Sequence, residues 1–510
     1  MRCRASGVAV ALAAIAIRRK KAQDTVTGAR RRLRRAWCRS HRAGRHVGDA
    51  MNRCRNVHAN ECASIQQGEA MSEQSHAKRG WHIVGLLFVF MMINYADKSV
   101  LGFVALPMMR DMHLSPTQFG MLGSAFYLLY SIAGVAGGVL TRYVKTKWIL
   151  LALAAVWAAV QFPMATPVGF GTLLVCRVLL GAGEGPAYPV ALHAVYKWFD
   201  DHQRSVPTSI VQTGAPIGVV VAAPALTAIV AHYSWRAAFL ALGVVGLIWV
   251  AIWLVWGEEG RGDLREHAAA RAPAAENVLG ALPYRRLLLD RTVVVVTAQW
   301  FLAALIAVIG LTWGPVYLTS VLGYGPKATG WIFAIQVAVP VPVGLAINAL
   351  SQSLLGRGVS TRVARGLFCS GCCMIGALAY FAVLTGLSPV AKVAWLTIGG
   401  AFVMQVNAFG PQIVAEMTST SQRGTVIAVS VSIASTAGVL GPILLGAVMD
   451  AMGGLGHDSG AFSVVYASIG IALLIAAAFG VALLDPARSK RRLAAFAQDA
   501  AVREQARVAA

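Results

Sequence analysis

The 510 residues read as an all-α membrane protein, with twelve transmembrane helices in two groups of six. Three observations carry that reading. The composition is 57% hydrophobic and only 13% charged. The apolar residues fall in blocks of about twenty or more, each long enough to cross about 30 Å of hydrocarbon as a helix rising about 1.5 Å per residue. Finally, lysine and arginine crowd alternate joints between the blocks, as expected when positive loops stay in the cytoplasm. Helix is the required element because backbone amides and carbonyls find no water in lipid and must be satisfied within their own segment.

The first six blocks lie near 81–107, 118–140, 147–168, 170–194, 207–231 and 235–256. A polar stretch from Gly257 to Arg291 follows, and then six more blocks near 292–321, 327–350, 364–386, 389–415, 425–449 and 460–484. The expected organisation is a basic extension (1–80), a first six-helix bundle (81–256), a central loop (257–291), a second bundle (292–484) and a basic tail (485–510). One set of joints carries Arg142, Lys145, Lys147, Lys197, Arg204, Arg357, Arg362, Arg365 and Arg423; the opposite set holds only Arg110, Arg236, Lys327 and Lys392. Both termini and the central loop are therefore expected in the cytoplasm, with the chain in the inner membrane of a bacterial cell.

The formal charge of +23 raises the question of a nucleic-acid partner. Its distribution argues against one. Residues 1–80 hold 18 Lys/Arg against 5 Asp/Glu in a segment without a sustained apolar period, so the excess is not a basic face on a folded domain. The expectation is that translation begins near Met71 and the preceding stretch is an overextended start. VAVALAAIAI near the start is too short to span, and basic residues follow it instead of preceding it, unlike a signal peptide. Four of the eight cysteines (Cys3, Cys38, Cys54, Cys62) lie in this leader; Cys176 is in the fourth span, and CSGCC puts Cys369, Cys372 and Cys373 in the ninth. No second pair or histidine cluster completes a zinc site, so small thiols packing a helix are expected, with no metal and no cofactor.

Inside the apolar blocks four charges stand out: Asp97 and Lys98 in NYADKS, and Arg177 and Glu184 in CRVLLGAGEGPAYP. Each costs about 2.5–3.5 kcal/mol at the centre of a span, so the four together approach about 10–14 kcal/mol if unpaired. Asp97 and Lys98 are adjacent and about 100° apart on a helix, so they do not neutralise each other along one face. Arg177 and Glu184 are two turns apart on one face, with about 10.5 Å of rise between them. The first and fourth spans are expected to meet across a polar cavity. Two buried salt bridges holding helices in register are the plainer reading, but buried pairs are poor stabilisers and intramembrane charges mark ion or substrate paths. Glu416 and Arg423, near a membrane face, read as solvated loop charges, and His193 as a surface imidazole. The second half carries uncharged polar groups mid-span, among them Gln299, Trp300, Gln405, Asn407 and Gln412, suited to hydroxyls or to interhelical hydrogen bonds.

With NYADKS, RVLLGAGEGPAYP, KWFDDHQRS, HYSWRAAF, TWGPVYL and QRGTVIAVSVSIASTAGVLGPILLGAVMD, the chain from about Trp81 to Leu484 resembles the major facilitator superfamily. Within it, the likeness is to the anion:cation symporter family of galactonate, glucarate and phthalate permeases. That resemblance implies two pseudo-symmetric bundles rocking around a midplane site. It also implies Asp97 and Glu184 in proton coupling, and Lys98 and Arg177 on the substrate carboxylate. Tyr95, Tyr130 and Gln212 fall at sugar-contacting positions. The chain departs from the family pattern where GVLTRYVKTK places Thr141 at the gating aspartate and Val144 at a glycine, where Gln352 and Gln203 replace acids, and where Lys98 replaces arginine. Lysine does not grip a carboxylate as a planar fork. The expectation is a monomeric, proton-coupled importer of a small organic anion, a sugar acid or an aromatic or aliphatic carboxylate. An organophosphate exchanger or a drug efflux carrier of the same superfamily is the alternative, and no nucleophile–base pair suggests an enzyme.

Overall fold

The computed structural model describes residues 47–141, 143–199, 203–260, 282–454 and 460–509. The chain divides into Met1–His76 and Ala77–Ala510. In the first unit, residues 47–76 are helical. The readings placed on the basic leader, its four cysteines and the centre of the central loop (261–281) fall on residues or side chains outside that description.

The second unit is helical, and no strand occurs among the described residues. Eleven helices there are long and apolar enough to cross a membrane. They begin with α1 (Lys78–Asp111), α2 (Pro116–Leu140) and α3 (Thr146–Met164). The expected fourth span arrives as two shorter pieces, α4 (Phe170–Glu184) and α5 (Ala187–Tyr196), of 15 and 10 residues. The cause is Pro186, which has no N–H to give the carbonyl four residues earlier. Gly185 (φ −53, ψ −47) and Pro186 (φ −73, ψ −13) both stay in the right-handed helical region, so the ladder loses a bond without the chain leaving the helix. Next come α6 (Ser205–His232) and α7 (Trp235–Trp256). After the central loop follow α8 (Arg291–Val321), α9 (Pro326–Gly356), α10 (Arg362–Val383), α11 (Pro389–Met417), α12 (Gln422–Ala451) and α13 (Gly460–Leu483). The basic tail forms one more helix, α14 (Pro486–Ala509).

Caps fix several helix starts. Ser115 and Gln118 form a reciprocal capping box at α2, and Ser234 caps α7 through the amide of Ala237. Asp290 accepts from the amide of Thr292 at the start of α8, and also from Ser489 and Arg492, which ties α14 to the foot of that helix.

Small residues let helices cross closely. A Cβ at Gly181 would stand 1.7 Å from the Phe126 carbonyl oxygen, and one at Gly185 would stand 2.0 Å from that of Tyr130. The backbone of α2 therefore lies directly on α4, which sets Phe126 and Tyr130 beside the buried charges. The loop ends of α1, α2, α6, α9 and α12 seal one end of the molecule. There Gly120 lies under the Pro442 carbonyl and Gly446 under that of Pro116. Ser115 Oγ (3.0 Å) and the amide of Thr117 (2.8 Å) donate to Asp450 Oδ2 on α12, and the amide of Ile443 donates to Ser124 Oγ. Gly330 on α9 packs against Thr227 on α6, and Phe103 meets Phe333 edge to face at 5.3 Å.

At the opposite end Thr141 Oγ1 turns back onto the Gly138 carbonyl. Glu259, just past α7, supplies a carboxylate in the same region. It accepts from the amides of Thr146 and Lys147 and from Thr146 Oγ1, and pairs with Lys197 Nζ at 2.6 Å. Burial pushes its carboxyl up, but the hydrogen bonds from Lys197, Lys147 and Thr146 prevail and hold it below the usual carboxylate range. A cavity of about 270 Å³, lined by Ser205, Val206, Ser209, Ile210 and Thr213, opens at the start of α6 and includes none of the four charges.

Candidate functional site

NYADKS sits in the middle of α1 with both neighbouring turns buried: Asn94, Asp97, Lys98 and Ser99 are 1%, 0%, 9% and 0% exposed. Residues 94 and 98 are one turn apart, so they share a face, and Lys98 Nζ donates to Asn94 Oδ1 at 2.8 Å. The ammonium also donates to Tyr130 Oη at 3.2 Å and lies 4.2 Å and 5.0 Å from the ring centres of Tyr95 and Tyr130. Two aromatic faces and two oxygens thus replace water around this charge. From α4, Glu184 approaches with Oε2 3.9 Å from the same ammonium and 3.2 Å from Asn94 Nδ2. Its other oxygen, Oε1, has no partner.

The second acid and base stand beside this group without closing a pair. Arg177 Nε donates to the Leu122 carbonyl at 3.2 Å and the guanidinium lies 4.9 Å from the Phe126 ring, while Nη1 is buried without an acceptor. Asp97 faces Arg177, Lys98 and the amide of Gln161 on α3, yet neither carboxyl oxygen makes a hydrogen bond. A buried carboxyl without a hydrogen-bond partner is costly in its charged form.

The expected meeting of the first and fourth spans is therefore present, with Lys98 reaching Glu184 across it. The four charges differ from the expectation in being packed, none more than 9% exposed, instead of lining open space. Tyr95 and Tyr130 are brought to the cluster; Gln212 is exposed on α6 and makes no hydrogen bond to it. Glu416 is not a solvated loop charge: it pairs with Arg365 Nη1 at 2.9 Å, and both side chains are mostly buried. Asn94, Gln161 and Phe126 escaped the sequence reading. Asn94 had a legible signal, a polar residue four positions before a buried lysine. In the second half, Gln299 bonds Ser370 and the Ala476 carbonyl, Trp300 bonds Asn407, and Gln405 bonds the Pro340 carbonyl, all within residues 291–483. Cys369 donates to Gln299 Oε1 and is buried with Cys372 and Cys373.

A family model described as Major Facilitator Superfamily matches residues 87–412. The chain belongs to that superfamily. Among its relatives, the hexuronate transporter of Bacillus subtilis (strain 168) is 27% identical over 385 residues, covering 74% of this chain and 89% of that protein. The probable L-galactonate transporter of Escherichia coli (strain K12) is 27% identical over 336 residues, covering 62% of this chain and 71% of that protein. Among solved structures, a bacterial homolog of the human lysosomal transporter Spinster, inward-facing and unoccupied, aligns with a TM-score of 0.66 at 19% identity, covering 81% of this chain and 98% of that one. A D-xylose–proton symporter aligns at 0.65 and 15% identity, covering 80% and 98%. These likenesses show the major facilitator fold, and the chain is a multi-pass membrane transporter of that superfamily.

Proposed function

We propose that this transporter carries a small organic anion, a sugar acid or another carboxylate, together with protons across the inner membrane, with both termini in the cytoplasm and the chain acting as a monomer. The observation that carries the reading is Lys98. It is a buried ammonium whose two hydrogen bonds go to neutral oxygens and whose nearest carboxylate oxygen stands 3.9 Å off. One of its three protons has no acceptor among the described side chains, and Arg177 Nη1 has none either. Two cations with unused donors suit a carboxylate cargo, and a drug-type cation would be repelled. The likeness to a hexuronate transporter and to a probable L-galactonate transporter supports the same class.

Asp97 and Glu184 supply the proton sites. With the binding face open to the outside, both acids hold protons and Lys98 and Arg177 take the carboxylate. When the bundles 81–256 and 292–484 rock and the site faces the cytoplasm, the protons leave, the acids compete for the cations again, and the anion is expelled. The test is uptake of galacturonate by vesicles reconstituted with the full chain, with and without an inward proton gradient. Accumulation driven by the gradient, accompanied by alkalinisation outside, supports the reading. Uptake indifferent to the gradient but driven by internal phosphate ester would make the protein an exchanger.

A further inference from the structure

The role of Asn94 goes beyond holding the helix pair together. Its amide stands between a cation and an acid that touch each other only weakly. Oδ1 accepts from Lys98 Nζ at 2.8 Å and Nδ2 donates to Glu184 Oε2 at 3.2 Å, while the direct distance from Lys98 to Glu184 is 3.9 Å. The carboxylate thus reaches the lysine both directly, as a long ion pair, and through the amide. The residue is 1% exposed.

An amide has a donor side and an acceptor side, and the chemistry of its neighbours fixes which way it faces. With Glu184 ionised, Nδ2 must face the carboxylate, which leaves Oδ1 for the ammonium. A proton arriving on Glu184 reverses this. On Oε1 it would have no acceptor, since that atom has no partner. On Oε2 it becomes an O–H donor that needs Oδ1. Turning the amide over satisfies it and presents N–H to the lysine, which then loses its best acceptor.

Resting on the proton-coupled reading above, we propose that Asn94 is a positioning residue that reads the protonation of Glu184 and, by turning its amide, holds or releases Lys98 for the carboxylate cargo. Around Glu184 stand Asp97 and Lys98 on α1, Tyr130 on α2 and Arg177 on α4 itself; Tyr95 on α1 and Tyr127 on α2 face Lys98, and the neutral Gln161 on α3 faces Asp97. The proton is taken from water onto the carboxyl and returned to water; no other bond forms or breaks. The device needs both ends of the amide, which separates it from simple packing.

The experiment is binding of galacturonate to the purified full chain between about pH 5.5 and pH 8, for wild type, Asn94→Asp and Asn94→Leu, with proton-driven uptake measured alongside. In wild type the apparent dissociation constant should tighten about tenfold or more toward low pH, within the usual range of coupling between two sites. Asn94→Leu removes both ends of the amide, so that pH dependence should flatten and accumulation should fall while binding at pH 8 tightens. Asn94→Asp keeps an acceptor of nearly the same shape, pins Lys98 with a second carboxylate, and should weaken binding at pH 8. The opposite signs at pH 8 are the signature. Variants that keep the wild-type slope, or that lose binding in parallel with no split between them, would overturn the proposal and make Asn94 a packing residue. Wild type that shows no pH-dependent binding of the anion would instead overturn the proton-coupled reading.

Discussion

At the scale of single residues, the charged groups of the site were legible in the sequence, and of the neutral ones Tyr95 and Tyr130 were named through the resemblance while Asn94, Gln161 and Phe126 were not. Asp97, Lys98, Arg177 and Glu184 stood out because each is expensive in an apolar span, and the structure brings them to one place. Gln161 left no such mark, because an uncharged amide in a span is usually a satisfied interhelical bond. The partner of Lys98 was foreseen in kind but not in geometry: a rise of two turns on α4 selects Glu184, whereas the two tyrosine rings depend on how closely α2 approaches. Lys98→Gln replaces the ammonium with a neutral polar side chain one atom shorter. If it binds the cargo carboxylate by one charge-assisted hydrogen bond of about 1.5–3 kcal/mol, KM for galacturonate should rise about ten- to a hundredfold, measured by counterflow in vesicles. An unchanged KM would remove Lys98 from the binding site.

At the scale of elements, the helix ends were readable to within a few residues where Pro, Ser and Asp mark starts, as at α2, α7 and α8. The interruption of the fourth span at Gly185–Pro186 was written in GEGP, but that Gly181 and Gly185 admit the backbone of α2 is a tertiary fact no local pattern contains. Glu259 belongs to the same class, since it lies 113 positions from Thr146, whose helix it caps. Its carboxyl is depressed in the folded state, so the stabilisation is complete above the unfolded value of about 4.3 and is lost as pH falls through the folded value. Glu259→Gln should therefore lower the melting temperature of the detergent-solubilised protein at pH 7, and the difference from wild type should shrink as pH is taken below about 4. A difference that stays constant with pH would show that the carboxylate's charge is not what matters.

At the scale of the whole molecule, the two groups of spans foreseen from hydropathy meet through an end sealed by glycine crossings and by Asp450 at the N-terminus of α2. Sequence placed the small residues but not this seal, because a carboxylate 333 positions from Thr117 meets its amide only once α2 and α12 have packed. Asp450→Ala removes a cap and a charge at a helix N-terminus, together about 1 kcal/mol or more, enough to shift an open–closed equilibrium several-fold. In a Ser124→Cys background, where the buried position lies at the crossing of α2 and α12, labelling by an impermeant maleimide added from that side should speed up several-fold when Asp450→Ala is introduced. No change in rate would mean that the glycine crossings alone keep the end shut.

In the proposed cycle the buried acids facing Lys98 and Arg177 carry protons in the same direction as a carboxylate cargo. The most direct measurement is galacturonate uptake into vesicles under an imposed proton gradient, paired with counterflow at equal pH, for wild type, Asp97→Asn and Glu184→Gln. Each variant is expected to lose gradient-driven accumulation while still exchanging labelled for unlabelled anion. Variants that both accumulate the anion as wild type does would contradict the proposed cycle.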